Sequence, residues 1–291
     1  MHNNRDTQNI AQQKLAIARN FSRAANTYDS VAILQQEIGQ RLLDRLDFIK
    51  IQPEVILDLG GGTGFFSRAL QQKFPNATLY NLDIAEGMLQ IANTANALTK
   101  KVCGDVESLP FKSESVDFIF SNCTFQWFLD PVRALLEIQR VLKPDGLLLF
   151  STFGPDTLKE LRESYQALDS GIHVNHFLDM HDIGDLLLHT QFIDPVMDME
   201  NLTLTYQTCQ ELLKDLKETG ANTVNGRSVQ GLKSACHLQK LQGAYECYRN
   251  SDGLLPATFE VVYGHAFANE FMQTESMGEN TCKSIPIEYL P

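Results

Sequence analysis

The sequence is short of basic residues and of any pattern that would place it in a membrane. Its 24 lysines and arginines stand against 36 aspartates and glutamates, a formal net charge of −12. A broad nucleic-acid or anionic-membrane surface needs the opposite balance, so we expect neither partner. No apolar run approaches the roughly 18 residues of a membrane-spanning helix. The polar N-terminus lacks the apolar core of a signal peptide, so we expect a cytoplasmic protein.

The six cysteines form neither a disulfide framework nor a metal-ligand pattern. They are scattered, none belongs to a C-x-x-C pair, and only Cys236 has a histidine, His237, beside it. This usage is typical of reduced thiols in the cytosol. His173 and His176 lie within one helical turn of each other, but no third ligand accompanies them, so we predict no metal site.

Short apolar runs alternate with amphipathic stretches over the middle of the chain. Four of these runs predict strands: 54–59, 77–83, 116–122 and 147–152. Helical patterns separate them, and such alternation is typical of an α/β protein with a doubly wound, mostly parallel sheet. Sheets of this class bind ligands beyond the carboxyl ends of their strands.

A glycine-rich loop, Asp58-Leu59-Gly60-Gly61-Gly62-Thr63-Gly64, joins the first predicted strand to a helix. Its glycines allow a tight turn and a close approach of the backbone to a ligand. The helix that follows offers free N–H groups. The loop has neither the third glycine of a G-x-G-x-x-G fingerprint nor the lysine of a Walker loop.

Polar residues lie at the ends of the first four strands, of which the third is expected to end near Asp105. They are Asp58, Asp83, Asp105 and Asn122. Each alone could cap a turn or a helix, but the series indicates a shared crevice. Asp58 could attract a cationic amino group. Asp83 lies where doubly wound folds accept ribose hydroxyls, and Asp105 could accept a hydrogen bond from an adenine amino group.

These motifs resemble the class I S-adenosylmethionine-dependent methyltransferases over residues 54–152. The matching segments are LDLGGGTG, NLDIAEGML, GDVESLPF and the stretch from VDFIFSN to LLLFST. One departure is Gly61, where the family often has cysteine. The resemblance implies a Rossmann-like sheet of seven strands, S-adenosylmethionine as cofactor and no metal.

The same resemblance implies a set of cofactor-binding residues. Asp83 would hold the ribose hydroxyls, Ile84 and Met88 would pack on the adenosine, and Asp105 with Val106 would read the adenine. The full set is Asp58, Gly60, Gly62, Gly64, Asp83, Ile84, Met88, Asp105, Val106 and Asn122.

The flanking segments are similar to those of the malonyl-[acyl-carrier protein] methyltransferases of biotin synthesis. The similarity covers about 20–265 and rests on 21–29, FSTFGPDTLKEL, 173–179 and 212–227. It implies methylation of the free carboxyl of a malonyl thioester on acyl carrier protein, giving the methyl ester. A carboxyl with a pKa of ~4 is already ionised at neutral pH, so the reaction demands no general base.

For such a substrate the candidate catalytic residues are Tyr28, Gln126, Trp127 and Arg227. A carboxylate acceptor calls for a cation or a donor, and Arg227, Arg162 and Arg23 are candidates because arginine binds carboxylates in a fork. An acidic carrier protein also requires a basic patch at the mouth of the site. We expect that patch to draw on Lys14, Arg19, Arg23, Lys233, Lys240 and Arg249.

The chain is expected to divide into five parts. They are an N-terminal helical lid (1–50), a cofactor-binding core (51–206), a helical insertion that caps the substrate (207–253), the last core strand (254–268) and a tail without periodicity (269–291). Within the lid we expect a mobile segment to about residue 15 and helix from there to Ile49.

Two other functions fit the same motifs. A small-molecule methyltransferase, acting on a free dicarboxylic acid or a quinone precursor, would share the sheet and most of the loops. A non-catalytic assembly factor could also use this fold, because fold does not fix function.

Overall fold

A seven-stranded sheet organises the molecule. The computed structural model describes residues 3–95, 99–220, 223–224, 227–228 and 235–269. The strands are β1 (Val55–Leu59), β2 (Thr78–Asp83), β3 (Lys100–Cys103), β4 (Val116–Ser121), β5 (Leu142–Phe153), β6 (Phe192–Tyr206), β7 (Thr223–Val224), β8 (Arg227–Ser228) and β9 (Leu255–Ala268). Their order in the large sheet is β3-β2-β1-β4-β5-β9-β6, and β7 pairs with β8 in a separate hairpin.

The first five strands are parallel, and β9 runs antiparallel to both β5 and β6. This confirms the predicted mostly parallel sheet of seven strands. β9, the last strand of the described residues, lies between β5 and β6 in the sheet.

Helices flank the sheet. They are α1 (Asn3–Val31), α2 (Ile33–Asp44), α3 (Phe65–Lys73), α4 (Glu86–Ala95), α5 (Pro131–Val141), α6 (Lys159–Gln166), α7 (Met180–His189), α8 (Cys209–Glu218) and α9 (Ala235–Tyr245). Within the described ranges, no helix is both long and apolar enough to span a bilayer.

The central strands are buried on both faces, which explains their continuous apolar runs. Successive side chains of a strand point to opposite faces, so Ile56 and Phe118 belong to one apolar cluster while Leu57 and Ile119 belong to the other. α2 and α3 contribute to the first cluster, and α5 and α7 to the second.

Local capping explains where several helices begin. The Asp130 side chain accepts from the Arg133 N–H at 3.0 Å, with Pro131 in the first turn of α5. Asp179 caps α7 by accepting from the His181 N–H at 2.8 Å. Such side-chain acceptors satisfy N–H groups that have no partner inside the helix.

The structure differs from the sequence interpretation at several places. The helix expected from about Leu15 to Ile49 is divided at Ala32 into α1 and α2, and a 3-10 turn (Arg45–Phe48) follows α2. α1 begins at Asn3 rather than near Leu15, so the helix includes a polar stretch that has no apolar periodicity; the helix as a whole packs against α4. The turn expected at 144–146 lies inside β5 as a bulge, where the register with β4 shifts and Asp145 has a φ of 58°. The expected tail lies outside the described residues beyond Asn269, and the division into five parts stays a prediction.

Candidate active site

Two adjoining cavities lie at the carboxyl edge of the parallel strands. The first, here the loop cavity, is walled by the glycine loop, the end of β2 and the inner face of α1. The second, the wide cavity, has a volume of about 710 Å³ and is walled by α8 and residues of β6. Five residues line both cavities and form what we call the shared wall: Phe21, Tyr28, Gln35, Cys123 and Trp127.

Asp58, at the end of β1, is a buried carboxyl in the wall of the loop cavity. It is 2% exposed and accepts from Ser67 Oγ at 2.5 Å. Burial raises its pKa to about 7, although the hydrogen bond from Ser67 opposes the shift. A cation placed beside it would return this carboxyl to its ionised form.

Asp83, at the end of β2, ties the glycine loop to the start of α4. Its Oδ2 accepts from the Gly62 N–H at 3.0 Å and its Oδ1 from the Ala85 N–H at 2.7 Å. Burial raises its pKa to about 6, against the lowering effect of these backbone donors. The carboxyl is therefore fixed in orientation at the cavity wall.

The glycine loop leaves its backbone open to the loop cavity. Gly62 has a φ of 53°, and a Cβ there would meet nothing closer than Met88 Sδ at 4.0 Å. Gly64, which is not part of the cavity lining, precedes the first turn of α3 as its N-cap. Ile84, Met88 and Val106 supply apolar wall.

Asp105 lines the loop cavity but is already engaged. Lys14 Nζ of α1 lies 2.6 Å from its Oδ2 and also pairs with Glu107. Its Oδ1 accepts from the Glu107 N–H at 3.0 Å. A ligand that uses Asp105 must therefore share this carboxylate with Lys14.

α1 is fastened across the loop cavity at further points. Thr63 Oγ1 donates to Asp29 Oδ1 at 2.5 Å, and the Gly87 N–H donates to Ser22 Oγ at 3.2 Å. Together with Lys14, these contacts hold the helix over both the glycine loop and the start of α4.

The residues predicted to be catalytic fall in different places. Tyr28 and Trp127 lie on the shared wall, whereas Gln126 lines the wide cavity and not the loop cavity. The Gln126 amide is engaged: Nε2 donates to the Cys123 carbonyl at 2.7 Å, and Oε1 accepts from Thr152 Oγ1 at 3.2 Å. Arg227 belongs to β8, but its side chain lies outside the described part of the chain.

Asn122 follows β4 and lines the loop cavity with its polar atoms already bonded. Its Nδ2 donates to the Gln35 carbonyl at 2.9 Å, and its Oδ1 accepts from Ser151 Oγ at 2.7 Å. The residue thus connects the end of β4 to α2.

Two of the arginines proposed for an acceptor carboxylate, Arg162 and Arg23, line neither cavity. Arg162 donates to the Pro155 and Thr157 carbonyls at 2.7 and 2.8 Å, and Arg23 is exposed on α1. Among the described residues, the cations that line the two cavities are Lys14 and Lys214. Within the same ranges no group of three metal-ligand side chains occurs.

Sequence reasoning missed Phe21, Gln35 and Cys123 of the shared wall. Gln35 follows Tyr28 by about two helical turns, so an unbroken helix would place both residues on one face. The break at Ala32 between α1 and α2 obscured this relation.

Gly60→Ala should destabilise the protein, whereas Gly184→Ala should not. Gly60 has a φ of 69°, and a Cβ there would lie 2.2 Å from Thr124 Oγ1. The left-handed backbone alone costs an alanine about 1–2 kcal/mol. Gly184, inside α7, has nothing within 4 Å of its Cβ position, so alanine there should stabilise by about 0.5–1 kcal/mol. Urea unfolding of both variants measures this, and equal stabilities would contradict the loop geometry.

Asp58→Asn should change how stability depends on pH. A carboxyl whose pKa is raised to about 7 by burial stabilises the fold fully below the unfolded pKa of ~4, and this contribution is lost as pH rises through 7. Asparagine does not ionise. The variant should therefore gain about 1 kcal/mol relative to the wild type between pH 6 and pH 8. Urea unfolding at the two pH values checks this; a constant difference would mean that Asp58 titrates normally.

Comparisons with known proteins agree with this geometry. A family model described as a methyltransferase domain matches residues 57–150. Malonyl-[acyl-carrier protein] O-methyltransferases of Gallionella capsiferriformans and Methylovorus sp. are 49% and 46% identical, over 87% of this chain and 90% and 88% of their own lengths.

Solved structures share the fold at low identity. The YcgJ protein of Bacillus subtilis superposes with a TM-score of 0.55 at 17% identity, over 79% of this chain and 99% of its own. A phosphoethanolamine N-methyltransferase of Haemonchus contortus, solved with S-adenosyl-L-methionine, gives a TM-score of 0.51 at 19% identity, over 79% of this chain and 53% of its own.

Proposed function

Because this chain belongs to the malonyl-[acyl-carrier protein] O-methyltransferase family, we propose that it methylates the free carboxylate of a malonyl thioester carried by acyl carrier protein. S-adenosylmethionine is the methyl donor. The product is a methyl ester whose formerly charged end can pass for the end of a fatty acyl chain. The methylation would be an early step of biotin synthesis. The observation that carries this proposal is the meeting of two cavities, one with buried carboxyls, at a single wall.

The loop cavity fits S-adenosylmethionine. The open backbone at Gly62, the buried carboxyl of Asp58 and the half-buried carboxyl of Asp83 suit a ligand with positive charge and ribose hydroxyls. In this proposal Asp83 accepts from both hydroxyls, and Gly60 and Gly62 border the methionine part; Gly64, which was expected to join them, does not line the cavity. Ile84, Met88 and Val106 pack on the adenosine, while Asp58, Asp105 and Asn122 complete the polar wall. The cofactor supplies a methyl group on positively charged sulfur.

The residues of the chain then have to orient an acceptor that is already a nucleophile. The carboxylate oxygen bonds to the methyl carbon as the carbon–sulfur bond breaks and its electron pair stays on sulfur. Burial raises the pKa of Tyr28 well above its ordinary value, so its hydroxyl stays protonated and can donate to the carboxylate. Correct alignment in such reactions supplies up to about 7–11 kcal/mol.

Aromatic packing at the shared wall keeps water away from the reacting atoms. The rings of Phe21 and Trp127 meet edge to face with centroids 5.3 Å apart. The ring centroids of Phe21 and Tyr28 are 6.4 Å apart, also in an edge-to-face arrangement. Because opposite charges combine as the ester forms, excluding water favours the reaction. Gln126 stabilises this wall, because its Nε2 donates to the carbonyl of Cys123.

The wide cavity has room for the thioester and the arm that carries it. The basic patch at its mouth is smaller than the sequence suggested. Lys14 is paired inside the protein, and Arg249 is bonded to Glu246 and to the Gln207 and Gly253 carbonyls. Carrier docking is therefore proposed to use the exposed residues Arg19, Arg23 and Lys240; Lys233, like the Arg227 side chain, lies outside the described residues.

Labelled methyl transfer to three acceptors tests the proposal. We expect malonyl-[acyl-carrier protein] to be methylated with a higher kcat/KM than malonyl-coenzyme A, and both to exceed free dicarboxylic acids. Mild base should release the label as methanol, as from a methyl ester; hydrolysis of the thioester alone would not. Preference for a free dicarboxylic acid would indicate a small-molecule methyltransferase. Binding of S-adenosylhomocysteine without any transfer would indicate a non-catalytic factor.

A further inference from the structure

We propose that a third cavity, here the side cavity, binds the phosphate group in the arm of the carrier-bound substrate, and that Arg162 holds this phosphate. Acyl carrier protein bears its thioester on phosphopantetheine, an arm that is joined to the carrier through a phosphodiester, which is ionised at neutral pH. The inference rests on the proposed function, because it concerns the acceptor of that same reaction.

The side cavity lies beside the wide cavity and reaches the surface. It has a volume of about 140 Å³ and is walled by residues of α6 and of the segment 170–176. Tyr165, His173 and Val174 line both cavities, so the two are neighbours. The segment is exposed at residues 170–171, on the side open to a carrier protein. Since a water molecule occupies about 30 Å³ in the liquid, the side cavity has room for a phosphate group.

The side cavity has a positive and neutral lining although the chain is acidic. Arg162 lies in its wall together with His173 and His176, and no aspartate or glutamate of the described residues lines it. The wide cavity differs, because three carboxylate side chains of α8 line it. In a chain with a net charge of −12, a cavity lined in this way favours an anionic ligand.

Arg162 has a fixed guanidinium group with a donor to spare. Its Nη2 donates to the Pro155 and Thr157 carbonyls at 2.7 and 2.8 Å, which holds the group in place. Its Nη1 makes no hydrogen bond to a described residue and, unlike Nε, is not enclosed. These bonds go to carbonyls, so the half-buried cation has no carboxylate partner in the described ranges, although buried charges are normally paired. A phosphate oxygen that accepts from Nη1 supplies both the hydrogen bond and the opposite charge.

Asp169 holds the rest of the wall in shape. Its Oδ1 accepts from the Gly171 N–H at 2.7 Å and pairs with His173 Nε2 at 2.7 Å. The His173 ring stacks on Tyr165 with centroids 4.1 Å apart. A Cβ at Gly171 would lie 2.8 Å from His173 Nε2, so this position has no room for a side chain. Asp169 itself does not line the side cavity, which is therefore shaped by these contacts without a carboxylate in its lining.

The test measures the full-length protein with three acceptors: malonyl-[acyl-carrier protein], malonyl-phosphopantetheine and malonyl-pantetheine, which lacks the phosphate. The wild type should prefer malonyl-phosphopantetheine to malonyl-pantetheine by about tenfold or more in kcat/KM, as expected for a hydrogen bond to a charged group. Arg162→Met should lose this factor with both phosphorylated acceptors and change less than threefold with malonyl-pantetheine. The loss should fall on KM, because the phosphate is held equally in the ground and transition states. Arg162→Lys should lose less, since it keeps the charge.

Lys159→Met is the matched control. It removes a cation one turn before Arg162 on α6 that lies 3.1 Å from Asp156 and lines none of the three cavities. This variant should match the wild type with all three acceptors. Because Arg162 also binds backbone carbonyls, the decisive quantity is the ratio of the two small acceptors within one variant. A purely structural role would lower kcat/KM for both and leave their ratio unchanged.

Three outcomes would overturn the inference. The first is an equal loss in Arg162→Met with all three acceptors, and the second is a wild type that uses malonyl-pantetheine as well as malonyl-phosphopantetheine. The third is weaker binding of inorganic phosphate to Arg162→Met together with wild-type kinetics on malonyl-phosphopantetheine, which would assign the side cavity to free phosphate. If the wild type methylates none of the acceptors, the proposed function fails, and the inference fails with it.

Discussion

Asp83→Asn should weaken S-adenosylhomocysteine binding by about a hundredfold. A hydrogen bond to a charged group contributes about 1.5–3 kcal/mol to binding. Asparagine has one neutral acceptor oxygen where the ionised aspartate has two that share a negative charge. The Asp83 carboxylate is already fixed by the Gly62 and Ala85 N–H groups, so it reaches the ligand without reorganisation. Calorimetry gives the affinity directly.

The pH dependence of that affinity provides a second readout. Burial raises the pKa of Asp83 to about 6, and only the ionised form accepts from two hydroxyls. Wild-type affinity should therefore fall more steeply below about pH 6 than that of Asp83→Asn, in which Asp58 of the same wall still titrates. Asp47→Asn, an exposed carboxyl paired with Lys73, serves as control and should bind like the wild type. An affinity for Asp83→Asn within threefold of the wild type would mean that Asp83 does not hold the ligand.

The double variant Tyr28→Phe/Trp127→Phe should lose a few hundredfold in kcat/KM for the acceptor. Each replacement removes one donor and keeps an aromatic ring, so the edge-to-face packing on Phe21 can persist. Two hydrogen bonds to a charged group contribute about 1.5–3 kcal/mol each. The combined loss should be smaller than their sum, because both donors would act on the same carboxylate. Steady-state kinetics with malonyl-[acyl-carrier protein] measures it.

Tyr80→Phe is the matched control for this double variant. Tyr80 lies on β2, packs against Phe111 and borders neither cavity. Its loss of a hydroxyl should leave kcat/KM unchanged. Should the double variant also retain wild-type kinetics, the shared wall would not be where the acceptor carboxylate binds.

The sequence predicted the sheet well because its information is local. Buried parallel strands have apolar runs with glycine or aspartate at their ends, so β1, β2 and β4 were found to within about a residue. The last core strand, predicted at 254–268, is β9 (Leu255–Ala268). The start of α1 was wrong because a polar helix that is stabilised by another helix has no apolar periodicity of its own.

The site was predictable only in part, because its decisive contacts join distant parts of the chain. The ends of β1 and β2 could be placed from the sequence, and Asp58 and Asp83 do line one cavity. The pairing of Lys14 with Asp105 could not, since it depends on how α1 crosses the sheet. Chemical reasoning favoured arginines for the acceptor, whereas Arg162 is bonded to backbone carbonyls.

The most direct test of the account is the intact mass of malonyl-[acyl-carrier protein] after incubation with the purified protein and S-adenosylmethionine. We predict that the carrier gains the mass of one methylene, and that this gain disappears after mild base, which hydrolyses both the methyl ester and the thioester and leaves the carrier without its acyl group. A carrier of unchanged mass, or a gain that resists base, would contradict carboxyl methylation at the meeting point of the two cavities.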